Sequence, residues 1–267
     1  MNILIIGGGN MGKTFAASFL RSKIISKEEL FIYEKDNNKV AELNQESMGT
    51  AFSGQSSYFE NADMIILAVK PQDAGSIYPI IKKYQPENKI IISIMAGIKM
   101  NVIEHHLGVK KLVRTMPNLA CQLGKGVIGY KASPNLTEDD KELVQKLLAT
   151  TGKVIEVKEE SMLDAITALS GSGPAYVFYF MDAMMHAATQ FGFSDQEAEQ
   201  IVTQTFEGSV QLFKKNNLTC QEWIDRVSSK GGTTEAALKV FDEYDIKNHI
   251  GKGILRAESR SEELSRS

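Results

Sequence analysis

Strand-like apolar runs alternate with helical spacing over residues 1–160, and only helical spacing follows. Asn2–Ile6, Met64–Val69 and Ile90–Ile94 are nearly continuous apolar runs, and Leu30–Tyr33 and Lys111–Thr115 are further strand patterns. Runs without polar alternation predict strands buried on both faces, as in a parallel sheet. Gly126–Tyr130 and Val154–Val157 read as late strands. Between the strands, Phe15, Ala16, Phe19 and Leu20 share one helical side, as do Val40, Ala41 and Leu43 within Asp36–Met48. Pro71–Tyr84 and Val102–Leu107 read as helices too. Thr137 and Asp140, in capping-box spacing, start another, with Leu143, Val144, Leu147 and Leu148 inward. Strand and helix in alternation predict an α/β domain with a mostly parallel sheet.

After Glu160 the strand signals stop. Ser161–Leu169, Pro174–Phe191, Asp195–Lys214, Cys220–Val227, Thr233–Asp242 and Asp245–Leu264 carry helical spacing, and Ser194 with Glu197 forms a second capping-box pattern. The expected organisation is an α/β domain over residues 1–160 and an all-α domain over residues 161–267. Trp223 is expected to pack within the helical part, and the polar tail Glu258–Ser267 to fray. Val177, Phe178, Phe180, Met181, Met184 and Met185 spread around most faces of the helix Tyr176–Ala188. Such a helix must be buried on most faces, so a partner subunit is expected to cover this thin domain.

Composition narrows the function classes. With 43% hydrophobic and 24% charged residues in 267, the chain reads as a soluble globular protein with a sizeable core. A net charge of -3 leaves no basic footprint for nucleic acid. No apolar run approaches the roughly 18–20 residues of a membrane span. The opening run is too short, and lacks the basic flank, for a signal peptide. Cys121 and Cys220 make no disulfide framework and are expected as free thiols in a reducing cytoplasm. No metal centre is expected: His105 and His106 are adjacent and diverge, and His186 and His249 have no ligand at i+3 or i+4. A serine-nucleophile elbow is absent, and neither cysteine sits where a thiolate would be activated.

The chemistry gathers at three glycine turns. Gly7-Gly-Gly-Asn-Met-Gly12 lies between the first strand and the first helix, the setting a dinucleotide fingerprint requires. There Gly7 makes the tight turn, Gly9 admits a pyrophosphate close to the backbone, and Gly12 lets helix and strand approach. Asn10 and Met11 open the helix beside it. Glu34, at the carboxyl end of the second strand, suits ribose hydroxyls and favours NAD; Lys35 and Lys39 suit a 2′-phosphate instead. Ala68, Val69 and Lys70 leave a strand at the same edge and are placed near the cofactor. Asn118 follows Met116-Pro117, where proline turns the chain out of the sheet, and is placed to touch nicotinamide or substrate.

The other two turns lie in the helical part. In Leu169-Ser-Gly-Ser-Gly-Pro-Ala-Tyr176, Pro174 reads as the first helical residue with Ser172 or Gly173 as cap, a loop with bare N–H groups. In Ser228-Ser-Lys-Gly-Gly-Thr-Thr-Glu235, Thr233 or Thr234 is expected to cap a helix beginning at Glu235. Helix starts of this kind suit a carboxylate or phosphate. Two of them, attached to a nucleotide-binding domain, suggest a small anionic substrate held against a cofactor.

With these motifs in order, the chain resembles the pyrroline-5-carboxylate reductase family. The resemblance rests on Gly7–Gly12, Ala68-Val-Lys-Pro-Gln72, Met116-Pro-Asn118, the run from Leu163-Asp-Ala165 through Ala168–Tyr176, and Gly231-Gly-Thr-Thr234, and it covers nearly the whole length. Leu119-Ala-Cys121 stands where the family usually has Thr-Pro-Ala, and Lys230 where it has proline. The resemblance implies a Rossmann-like N-terminal domain and an all-α C-terminal dimerisation domain whose helices interlock between two chains. Homodimers, and rings of dimers, are known in the family. It implies reduction of the cyclic imine (S)-1-pyrroline-5-carboxylate to L-proline in proline biosynthesis, with NADPH, or NADH, as cofactor. It puts the substrate carboxylate on backbone N–H groups around Ser229, Gly231, Gly232 and Thr233, and the Thr234 hydroxyl, as the catalytic group, at the ring nitrogen. Ser172, Gly173 and Pro174 would shape the pocket beside the nicotinamide.

Two other readings compete. A β-hydroxyacid dehydrogenase would need a catalytic lysine early in the helical part, and none lies between Ser161 and Lys214. A non-catalytic nucleotide-binding paralogue draws its support from the departures at Lys230 and Leu119.

Overall fold

In the computed structural model, which describes residues 1–265, the first unit is built on one sheet. Its elements in order are β1 (Ile3–Ile6), α1 (Asn10–Arg21), β2 (Leu30–Tyr33), α2 (Asn37–Gln45), β3 (Thr50–Phe52), α3 (Tyr58–Asn61) and β4 (Met64–Leu67). Then come α4 (Ala74–Lys82), β5 (Ile90–Ser93), α5 (Met100–Leu107), β6 (Leu112–Met116), β7 (Gly126–Ala132), α6 (Glu138–Ala149) and β8 (Gly152–Glu156). The eight strands lie in the order β3-β2-β1-β4-β5-β6-β7-β8. Only the β6–β7 pair is antiparallel, with Val113 opposite Ala132.

Successive side chains of a strand point to opposite faces, so a strand apolar throughout feeds two cores. Ile3 and Ile5 of β1 join Phe15 and Phe19 of α1 and Val144, Leu147 and Leu148 of α6. Leu4 and Ile6 join Ile77 and Ile81 of α4 and Ile103 and Leu107 of α5. This is why the runs show no alternation: helices cover both faces. Thr137 caps α6 in the expected capping box with Asp140. The short edge strand β3 is not visible in the apolar pattern. Phe52 holds it by edge-on ring packing with Tyr33, at 5.7 Å.

The helical unit comprises α8 (Gly173–Gln190), α9 (Asp195–Lys215), α10 (Cys220–Val227), α11 (Thr233–Glu243) and most of α12 (Ile246–Leu264). Contact density divides the chain at Ser172/Gly173 and again at Arg256/Ala257, so Ala257–Ser265 belongs with the sheet unit. Ser194 and Glu197 cap α9 as expected, and Thr219 and Glu222 do the same for α10. Trp223 packs in this unit with the Arg226 guanidinium 5.5 Å from its ring centre.

Two expectations need correction. The Gly/Ser run is not an open loop. After α7 (Met162–Ile166) the chain widens into a π-turn over Thr167–Gly171, and the Ser172 N–H donates to the Thr167 carbonyl at 2.8 Å. Helix α8 then starts at Gly173, leaving Pro174 within the first turn, where a missing N–H costs nothing. The polar tail does not fray from Glu258. Helix α12 continues to Leu264, and buried Ser261 donates to the buried carboxylate of Asp164 at 2.6 Å. The remainder of that expectation, at Arg266 and Ser267, lies outside the described residues.

Candidate functional site

The strand order reverses between β1 and β4, and a cavity of about 420 Å³ opens at their carboxyl ends. That is where ligands bind in open α/β sheets. Gly7 sits at φ +111°, a conformation that favours glycine, and a Cβ there would lie 2.8 Å from the Ala68 carbonyl oxygen. A Cβ on Gly12 would collide with the Gly7 carbonyl, so the third glycine lets α1 close onto the turn. Gly9 differs. Its φ is -75°, and a Cβ would meet nothing within 4 Å. The glycine there leaves space in front of α1 rather than relieving strain. No side chain caps this helix start, and its first-turn amides have no acceptor within the helix. The arrangement fits a pyrophosphate.

Glu34 is buried at the cavity wall, and its carboxylate braces the turn. One oxygen accepts the Gly8 N–H at 3.0 Å and the other accepts the Asp36 N–H at 3.2 Å. Lys35 and Lys39 line the same cavity, as do Ala68, Val69 and Lys70. Lys35 forms an ion pair with Asp73 at 2.9 Å. Sequence reasoning missed Asp73, Ser76 and Ile77, which reach the cavity from the turn and helix after Pro71. Their signal was the sharp stop at Lys70-Pro71, which aims the following turn back over the sheet edge. Asn10 and Met11 do not line this cavity; Asn10 is exposed and Met11 packs on the core.

A second cavity, of about 670 Å³, lies across the Lys70–Asp73 turn, bordered by Pro71, Gln72, Gly97, Thr167 and Ser172. Asn118 does not line either cavity. Its side-chain amide donates to the Ser170 hydroxyl at 3.0 Å, and its side-chain oxygen accepts the Val127 N–H at 3.3 Å. It therefore ties the Met-Pro-Asn turn to the Gly/Ser run. The Leu119-Ala-Cys121 departure forms a tight 3-10 turn. Cys121 is fully buried there, burial pushes its thiol pKa up, and a Cβ on Gly126 would strike its sulfur. Cys121 is a packing residue, and Cys220 is a free, exposed thiol.

In the helical unit the second glycine turn is tighter than expected. Helix α11 starts at Thr233, with Gly232 as its cap residue and no side-chain cap. Gly231, at φ +73°, donates its N–H to the Glu235 carboxylate, and the Gly232 N–H donates to the Ser229 carbonyl at 2.9 Å. Two of the expected cradle amides are thus spent within the turn. The first-turn amides of Thr233 and Thr234 have no acceptor within the helix. Among the described residues, no three His, Cys, Asp or Glu gather as a metal site, and no helix is long and apolar enough to cross a membrane.

Residues 160–264 match the family model for pyrroline-5-carboxylate reductase dimerisation, and residues 2–97 match that for the coenzyme F420-dependent NADP oxidoreductase. The chain is 38% identical to pyrroline-5-carboxylate reductase of Aquifex aeolicus, over 99% of this chain and 97% of that one. It is 31% identical to pyrroline-5-carboxylate reductase 2 of Bacillus subtilis, over 97% and 93% of the two chains. The solved pyrroline-5-carboxylate reductase of Coxiella burnetii superposes with a TM-score of 0.90 at 30% identity, covering 100% of this chain and 99% of that one. The pyrroline carboxylate reductase of Plasmodium falciparum, solved with NADP bound, gives a TM-score of 0.88 at 30% identity, covering 99% and 98%. With a glycine turn and cavity of this geometry, and likeness along its whole length, this chain belongs to the pyrroline-5-carboxylate reductase family.

Proposed function

We propose that this protein reduces (S)-1-pyrroline-5-carboxylate to L-proline with NADPH or NADH, the last step of proline biosynthesis. The observation that carries the reading is the uncapped helix start behind Gly9, opening on a cavity walled by Glu34 and Val69, in a chain with full-length reductase relatives. Gly7, Gly9, Asn10, Met11 and Gly12 are assigned to the cofactor's phosphates, Glu34 to its ribose, and Ala68, Val69 and Lys70 to its path along the sheet edge. Asn118 is assigned a positioning role there, through Ser170. When bound, the nicotinamide supplies a hydride.

The imine is easily protonated and then needs no strong acid, so the chain's contribution is placement and charge. The substrate carboxylate is assigned to Ser229 and the first-turn amides of Thr233 and Thr234. Gly231 and Gly232 shape that turn, and the Thr234 hydroxyl holds the ring nitrogen. Ser172, Gly173 and Pro174 border the substrate. The match to a dimerisation family supports a homodimer; in the proposed reading one chain's helical part completes its partner's site, and a ring of dimers is the larger form. Two free thiols favour a cytoplasmic location. The test is direct: purified protein given pyrroline-5-carboxylate should consume NAD(P)H absorbance and produce proline in equal amount. A chain that binds NADPH yet consumes none with this imine would sink the assignment.

A further inference from the structure

From Ala257 onward, α12 belongs to the sheet unit, and Arg260, Ser261 and Leu264 line the 670 Å³ cavity opposite Gln72 and Gly97. The approach is close. Gly97 sits at φ +74°, and a Cβ there would come to 3.3 Å from the Leu264 carbonyl oxygen. The segment is pinned by a buried charge. Asp164, 3% exposed, accepts the Ser261 hydroxyl at 2.6 Å and the Ser265 hydroxyl at 3.3 Å on one oxygen. Arg114, equally buried on β6, stands 4.0 Å from that oxygen and donates to Glu160 at 2.8 Å. Glu160 in turn accepts the Met100 N–H at 2.8 Å. A buried carboxylate so paired is costly to disturb, so the helix end it holds is fixed rather than loosely docked.

The strand order says what this wall faces. The first cavity collects residues after β1, β2 and β4, and the second collects residues after β4 and β5. A dinucleotide whose pyrophosphate sits at α1 and whose adenosine sits by Glu34 extends its other half across the Lys70–Asp73 turn into the second cavity. We infer that Ala257–Ser265 forms one wall of the nicotinamide half of the cofactor site, with Asp164 and Ser261 as positioning residues that hold it. This rests on the dinucleotide reading above.

The test compares whole NADPH with its adenosine half. The full chain carrying Ser261→Ala and Ser265→Ala together is titrated calorimetrically with NADPH and with 2′,5′-ADP, and amide exchange is followed over residues 257–264. The expected result is faster exchange there, NADPH Kd raised about tenfold, the size of one lost hydrogen bond to a charged group, and an unchanged Kd for the fragment. Ser261→Thr, which keeps the hydroxyl, restores NADPH binding in the Ser265→Ala background. Unchanged NADPH affinity in the double variant overturns the inference, as does equal weakening of both ligands or failure of threonine to rescue. The dinucleotide reading fails separately, if the unaltered chain does not bind the fragment.

Discussion

The two units of this molecule solve burial differently. In the sheet unit every residue of β1, β2, β4 and β5 is buried, because helices of the same unit cover both faces. In the helical unit only Ala188 of α8 is buried, while Phe178 is 58% and Tyr179 77% exposed in the single chain. Both units are rich in apolar side chains. The difference is closure: a sheet with helices on two faces completes its own core, whereas a helix apolar all round needs surfaces its own unit does not supply. Residues 160–264 match a dimerisation family, which supports the proposal that a second copy supplies that surface. The candidate site divides in the same way. The residues proposed for the cofactor stand on the ends of buried strands, and those proposed for the substrate stand on a turn that is mostly exposed in one chain.

The largest expected effect tests whether the open unit is closed by a partner. Gly9→Val should fold, since nothing lies within 4 Å of the added Cβ, yet bind no dinucleotide, because the side chain fills the space before α1. Thr234→Ala should keep the cofactor and lose turnover. Refolded together, the two inactive chains should regain about a quarter of the activity, because half the dimers are mixed and each has one intact site. A verified mixture no more active than its parents means each chain carries its own complete site. The contrast between closed and open units would then have no catalytic meaning.

This contrast also explains what could be read in advance. The four central strands were legible because parallel strands covered on both faces are apolar throughout. The edge strand Thr50–Phe52 was not, because its place depends on Tyr33, Tyr58 and Phe59 packing around Phe52. Gly7, Gly9 and Gly12 were legible by spacing; the structure gives Gly7 and Gly12 steric reasons and leaves the space before Gly9 open. The π-turn at Thr167–Gly171 was missed because Ser170, Gly171 and Ser172 are the residue types of an open loop, whereas the backbone carries the helix on through Gly171 as one widened turn. The spent amides of Gly231 and Gly232 were missed because their acceptors, Glu235 and Ser229, suit solvent equally well. The chain's end was misread because Ser261 is polar but buried on Asp164, a partner 97 residues away.

A smaller effect sharpens the substrate side. Thr234 is partly exposed at the start of α11, where its hydroxyl is assigned to the ring nitrogen. Thr234→Ala should lower kcat/KM for the imine by about 30- to 150-fold, equivalent to ~2–3 kcal/mol for a hydrogen bond that strengthens in the transition state. Thr234→Ser should restore most of it, since serine keeps the hydroxyl and serves equally well in a helix's first turn. An alanine variant as fast as the unaltered enzyme removes Thr234 from the mechanism and leaves the turn a purely structural feature of the open unit.

The smallest effect belongs to the closed unit and concerns cofactor choice. Glu34 has two functions that one substitution can confuse. Its charge faces the cavity that holds Lys35 and Lys39, and would repel a 2′-phosphate; its oxygens also brace the Gly8 and Asp36 amides. Glu34→Ser removes both charge and brace, leaving the buried Gly8 N–H without its partner, which costs about 1–3 kcal/mol of stability. Glu34→Gln removes the charge but keeps a carbonyl oxygen for Gly8. The expected result for Glu34→Gln is a shift of the NADPH/NADH ratio of kcat/KM toward NADPH by about tenfold, or ~1.4 kcal/mol, with a small fall in melting temperature because its amide nitrogen cannot accept the Asp36 N–H. Glu34→Ser should shift the ratio in the same direction and melt earlier still. Were glutamine to leave the ratio unchanged while serine lowered stability further, Glu34 would be a brace for the glycine turn and nothing more. Lys35 and Lys39 would then decide which cofactor the cavity prefers.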